Sequence, residues 1–305
     1  MKLKENYAAP ALVIIVTVLL ALSGLVESRF AGDPDTAALA SVILTVVIFL
    51  IPALLFCYLR PRGYAARLRL APFTARHVLL ILLAALLLVS GGVVLTTVLY
   101  RLFPAAFAAS ATSQSVLYSA DGGLLGILRT LLAFAFVPAF CEEIVFRSIL
   151  LAEYERYGTA CAVLMSTFLF SLVHFSPVRF PLYFFGGLVL ALTSYATRSV
   201  FAAGTVHFLY NAAVILTEDY VCRRAASQQS SAVLLVFIAV CVMLLSAFFL
   251  FAEAQKIYRF YGTSGVLPTY RTGKKQGALA TAAEVFSAPP MLLLLLLYIV
   301  LLILR

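Results

Sequence analysis

Pro138-Ala139-Phe140-Cys141-Glu142-Glu143-Ile144-Val145-Phe146-Arg147 sets two carboxylates and a guanidinium inside an apolar run. An ionised group at the centre of a membrane helix costs roughly 2.5–3.5 kcal/mol on insertion scales. A chain that keeps three of them within six residues uses them, so the default reading is a functional site. Two more such runs follow. Phe170-Ser171-Leu172-Val173-His174 carries one histidine, and His207-Phe208-Leu209-Tyr210-Asn211 a second with an amide. Elsewhere apolar runs alternate with basic loops.

Hydrophobic residues make up 64% of the chain and charged residues 11%, against about half and about a quarter in an ordinary soluble domain. No polar, Gly/Ser-rich linker divides it. At about 20 apolar residues per crossing, the sequence predicts an all-α, polytopic helical membrane protein with about 8–9 transmembrane helices. It divides into N-terminal helices (1–121), a core (122–217) and C-terminal helices (218–305), all one membrane-embedded unit. The net charge of +9 lies mostly in short loops, where Lys and Arg set orientation and meet anionic headgroups. Nucleic acid is not an expected partner; the lipid bilayer is. The five cysteines form no CxxC pair and read as small buried apolar residues rather than disulfides or a zinc site. The first apolar run ends without an A-x-A cleavage site and is expected to be an uncleaved span.

In order, the expected spans are 8–26, 36–59, 78–100, 122–152, 159–175, 180–196, 199–216, 230–252 and 285–304. Pro52 is expected to kink the second, and Gly91 and Gly92 to mark close helix packing in the third. Five arginines fill the 60–77 loop, with His77 beside them as an incidental neighbour. Residues 101–121 read as a loop with an interfacial helix, 253–284 as the longest polar loop, and Gly158 as a helix stop.

Glu143 and Arg147 stand one helical turn apart on one face, and in hydrocarbon such a pair offsets much of the cost of both charges. Glu142 lies about 100° around the helix with no partner at helical spacing, and such a carboxylate suits a general base. Phe170 and His174 share a face. So do His207 and Asn211, which together offer donors for a developing oxyanion. Each element also has a plain structural reading. Glu143–Arg147 can be a structural ion pair, His174 an interhelical hydrogen bond, and His207 with Asn211 polar contact between helices.

The three elements in this order, Glu142-Glu143-x-x-x-Arg147, Phe170-x-x-x-His174 and His207-x-x-x-Asn211, resemble the CAAX protease and bacteriocin-processing (Abi) family of intramembrane endopeptidases. That family includes the Ras-converting CAAX endoprotease. Ser148 stands where many members have glycine, which leaves local helix packing open. The resemblance covers roughly residues 120–220 and implies hydrolysis of a peptide bond in a membrane-associated peptide or protein. It implies Glu142 and His174 as the water-activating pair and His207 and Asn211 as oxyanion donors, with Glu143, Arg147 and Phe170 as structural support. No obligatory cofactor is expected. A divalent metal such as zinc would take Glu142, His174 and His207, but no H-E-x-x-H is present.

The alternative function is a non-proteolytic immunity or regulatory membrane protein, or a transporter. Polar residues in one region only, without inverted repeats, argue against the transporter. The expected location is a bacterial plasma membrane. With nine crossings, the N-terminus and the 60–77 and 253–284 loops share the side richer in Lys and Arg. The positive-inside rule makes that side cytoplasmic and has the site open outward, whereas the CAAX-protease resemblance favours an opening to the cytoplasm.

Overall fold

The computed structural model describes residues 6–30, 32–107, 123–227, 230–265 and 277–304. Among them every regular element is helical, because a backbone in hydrocarbon must satisfy its own hydrogen bonds. The long helices are α1 (Ala8–Phe30), α2 (Pro34–Tyr58), α3 (Ala75–Leu102), α4 (Gly123–Tyr157), α5 (Thr159–Leu172), α6 (Phe180–Thr197), α7 (Val200–Ala226) and α8 (Ser230–Thr263). The chain ends in α9 (Ala278–Phe286) and α10 (Pro289–Leu304). Seven of these are long and apolar enough to cross a membrane, or eight if α9 and α10, bent by 68° at their junction, form one span. This is an integral, multi-pass membrane protein.

The nine-crossing count differs at α5. That helix has 14 residues, about 21 Å at 1.5 Å per residue, short of the roughly 30 Å hydrocarbon core. It stops at Leu172, so His174 sits just beyond a helix end. The 253–284 region also departs from a loop, since α8 continues through Thr263 and α9 starts at Ala278. Helix α7 likewise runs on to Ala226. Most of the 101–121 loop, and residues 266–276, lie outside the described residues.

The two prolines beyond the first turn of a described helix follow π-helical turns, Val46–Leu50 before Pro52 and Leu131–Phe136 before Pro138. Proline removes one i→i−4 bond and its ring crowds the preceding turn, and a wider turn accommodates both. The expected kink at Pro52 is therefore met by a π turn, and α2 continues to Tyr58. A third π segment, Ile144–Leu150, carries Arg147; such turns recur at functional sites.

Close packing sets the site helices together. A Cβ on Gly91 would stand 2.4 Å from the Phe185 ring, and one on Gly92 2.9 Å from Tyr210, as expected of glycines at helix crossings. Val145, Phe146, Ile149, Leu169, Leu190 and Val206 form part of one core. By contrast α8 exposes Leu234, Phe237, Leu244, Phe248 and Phe251, an apolar face suited to lipid. Cys141 alone among the five thiols is buried, and the other four are half-buried, so their reading as buried residues holds for one.

The arginine-rich 60–77 segment is more than a charged loop. Arg60 pairs with Glu153 and Arg69 with Glu155; Tyr64 donates to Glu153 at 2.8 Å and Tyr195 to Glu155 at 2.9 Å. This fastens the segment to the end of α4. His77 is not incidental either. Its Nδ1 accepts from the Thr74 N–H at 3.1 Å, and its Nε2 lies 2.9 Å from the Tyr261 hydroxyl.

Candidate active site

Glu143 and Arg147 are fully buried, and Arg147 Nη1 lies 3.0 Å from Glu143 Oε1, the one-turn pairing the spacing predicts. The same carboxylate oxygen lies 3.0 Å from His207 Nδ1 on α7. A carboxylate only accepts, so the hydrogen is on Nδ1. The other side of Arg147 is held too. Its Nη2 donates to the Gly187 carbonyl at 3.2 Å, and its guanidinium stands 4.1 Å from the centre of the Phe170 ring. Four helices thus meet at one buried ion pair. Gly187 has to be small here, because a Cβ would come within 3.1 Å of Thr167 and 3.2 Å of Phe170.

Ser148 is fully buried and donates to the Leu68 carbonyl at 2.5 Å. A serine is accommodated because the 60–77 segment supplies an acceptor, which resolves the packing question that residue raised.

His174 Nδ1 lies 2.7 Å from the Phe170 carbonyl oxygen. A carbonyl only accepts, so Nδ1 carries the hydrogen and Nε2 keeps its lone pair. The imidazole packs edge-on to Phe170, centroids 4.7 Å apart, and is stacked on Tyr183 at 3.9 Å and 26°. Phe170 touches His207 as well, centroids 5.7 Å apart.

Glu142, His174, His207 and Asn211 all line one cavity of about 690 Å³. Oε2 of Glu142 is buried without a hydrogen-bond partner among the described residues. An unpartnered buried acceptor costs about 1–3 kcal/mol, which fits a group kept for a ligand or a reaction rather than for stability. Glu143, Arg147 and Phe170 lie behind this row, at 0%, 0% and 3% exposure. Toward the other end the cavity is lined by Glu27 and Ser28 at the end of α1, Thr217 and Glu218 on α7, and Arg179. Glu27, Ser28 and Thr217 are exposed, so it reaches the surface opposite the arginine-rich segment.

The structure thus brings together every residue singled out from the motifs. Residues 124–213 match the family model described as type II CAAX prenyl endopeptidase Rce1-like. This stretch is Rce1-like. The matched stretch of the 305-residue chain runs from the start of α4 to Ala213 on α7 and holds all seven motif residues, in keeping with the resemblance carried by those motifs. No curated protein and no solved structure matches the chain.

Around the Rce1-like stretch the sequence reading missed several partners. It gave no sign of the Glu143–His207 contact, 64 residues apart, or of Gly187 as an acceptor. Tyr183 is one of 15 tyrosines and nothing local marks it. Nor did spacing suggest Arg179 with Glu218, whose Nη1 and Oε1 stand 2.8 Å apart. As for a metal, no group of three or more His, Cys, Asp or Glu among the described residues stands close enough to hold one. Glu142, His174 and His207 share a cavity but do not form such a group.

Proposed function

We propose that this protein is an intramembrane endopeptidase of the CAAX type that hydrolyses a peptide bond in a membrane-associated peptide or protein. The observation that carries the reading is the shared cavity. An unpartnered carboxylate oxygen on Glu142 and a His174 ring with Nε2 free as acceptor line it together with His207 and Asn211. Glu142 takes a proton from water as the oxygen attacks the scissile carbonyl carbon, while His174 Nε2 accepts the second hydrogen and orients the attack. General-base catalysis of this kind contributes about 10²–10⁴-fold. The carbonyl oxygen becomes an oxyanion, received by His207 Nε2 and the Asn211 amide. Because His207 Nδ1–H is committed to Glu143, donation from Nε2 places hydrogen on both ring nitrogens. Each oxyanion donor is worth about 10²–10³-fold. The proton on Glu142 then passes to the leaving nitrogen as the C–N bond breaks. We infer that water is activated without a metal, and that the protein resides in a bacterial plasma membrane.

The test is cleavage of an internally quenched, prenylated CAAX peptide by the purified protein in proteoliposomes. Glu142→Gln is expected to abolish turnover, and His174→Ala and Asn211→Ala to lower it about 10²-fold or more. Near-normal turnover by Glu142→Gln refutes the proposed base. A wild-type protein inert on prenylated and unprenylated peptides alike favours a non-proteolytic role.

A further inference from the structure

We propose that Tyr183 and the Arg179–Glu218 ion pair are positioning residues that hold the imidazole of His174 in register with His207 and Asn211. This assignment builds on the endopeptidase reading given above. His174 is poorly placed to be rigid by itself. It lies two residues past the end of α5, where Val173 N–H reaches Leu169 O at 3.3 Å. The next residue, Phe175, has φ +49, a left-handed conformation uncommon for a bulky side chain. A group that must meet a water within a fraction of an ångström needs support from rigid elements when it sits on a loop.

Three contacts supply that support, and only one is local. The Phe170 carbonyl fixes the ring's rotation by accepting from Nδ1. Tyr183, on the first turn of α6, covers one face of the imidazole at 3.9 Å, so the ring has no room to tilt toward that face. Arg179, five residues after His174, ends the connecting segment. Its guanidinium lies 4.2 Å from the centre of the Phe107 ring and pairs with Glu218 at 2.8 Å, their side chains 8% and 21% exposed. Glu218 is seven residues beyond Asn211, two turns along the same face of α7. The ion pair therefore ties the segment carrying His174 to the helix carrying both proposed oxyanion donors. Partly buried and bridging two elements, it is shielded from the screening that makes surface pairs weak.

The experiment reads His174 directly. The chain has three histidines, so [¹⁵N]histidine-labelled protein in detergent gives three pairs of ring signals, assigned by His77→Ala, His174→Ala and His207→Ala. The expected wild-type signal is a single Nδ1–H tautomer for His174. Tyr183→Leu and Glu218→Gln are expected to shift it toward tautomer averaging while the His207 signal stays in place. The exchange Arg179→Glu with Glu218→Arg is expected to restore it. On the prenylated CAAX peptide, kcat should fall about 10- to 100-fold with KM unchanged, the pattern of lost orientation rather than lost binding. Should Glu218→Gln or Tyr183→Leu not yield folded protein, Glu218→Asp and Tyr183→Phe are measured instead, with smaller shifts of the same sign expected. A His174 signal identical to wild type in the folded variants overturns the proposal. A His174 signal that responds in a protein that does not cleave the peptide upholds the positioning roles and refutes the endopeptidase reading for that substrate.

Discussion

Nδ1 of His207 lies 3.0 Å from Oε1 of Glu143, joining the third motif to the first through one buried oxygen. Arg147 reaches the same oxygen at the same distance. Glu143 thus balances a buried cation and orients the imidazole nearest the proposed oxyanion position. The two tasks can be separated by mutation.

Glu143→Ala leaves Arg147 as an unpaired buried charge, and Arg147→Ala does the same to Glu143. Breaking a buried pair from one side destabilises by about 3–5 kcal/mol, so both are expected to lower folded yield in fluorescence-detected size-exclusion chromatography. Replacing both, with Glu143→Leu and Arg147→Met, is expected to recover yield but not peptide cleavage, because His207 loses its acceptor. Recovered cleavage would limit Glu143 to charge balance.

Glu142 behaves differently. Its Oε2 has no hydrogen-bond partner to lose among the described residues, so Glu142→Gln is expected to leave the melting temperature within a few degrees of wild type while turnover disappears. Loss of folded protein in step with activity would make Glu142 a structural group.

Gly187→Ala inserts a Cβ within 3.2 Å of the Phe170 ring and 3.3 Å of the Thr167 backbone. The backbone contact has no easy way to give, and overpacking of this kind typically costs about 1–3 kcal/mol. Because Phe170 touches Arg147, His174 and His207, turnover should fall further than stability. Equal activity per folded molecule would contradict that.

The cavity mouth lies opposite the arginine-rich segment, so the positive-inside rule sets its expected side. In a background lacking the native cysteines, a membrane-impermeant maleimide is expected to label Ser28→Cys on intact cells. Arg62→Cys, in the arginine-rich segment, is expected to react only after permeabilisation. The reverse pattern would put the site on the cytoplasmic side.

Chelation addresses the metal question. Prolonged dialysis against a strong chelator is expected to leave peptide cleavage unchanged. Activity lost on dialysis and restored by stoichiometric zinc would call for a ligand set that the resting geometry does not display.

The sequence determined the class of this protein and the helices that bear its site, because both rest on local chemistry. Long apolar runs must become helices in lipid, and Glu143 with Arg147, or Phe170 with His174, meet through four-residue spacing alone. Pro52 was legible as a disturbance, although not as a π turn, and Pro138 was not. What spacing cannot express is contact between helices. Glu143 with His207, Arg147 with Gly187, Tyr183 with His174 and Arg179 with Glu218 each depend on how one helix rotates against another. So does the use of the 60–77 arginines, which the sequence offered only as orientation charges and the fold pairs with Glu153 and Glu155. Hydropathy fixes which residues avoid water, since each responds to the solvent independently. Which polar group faces which is decided only when packing chooses one set of helix rotations for the whole bundle.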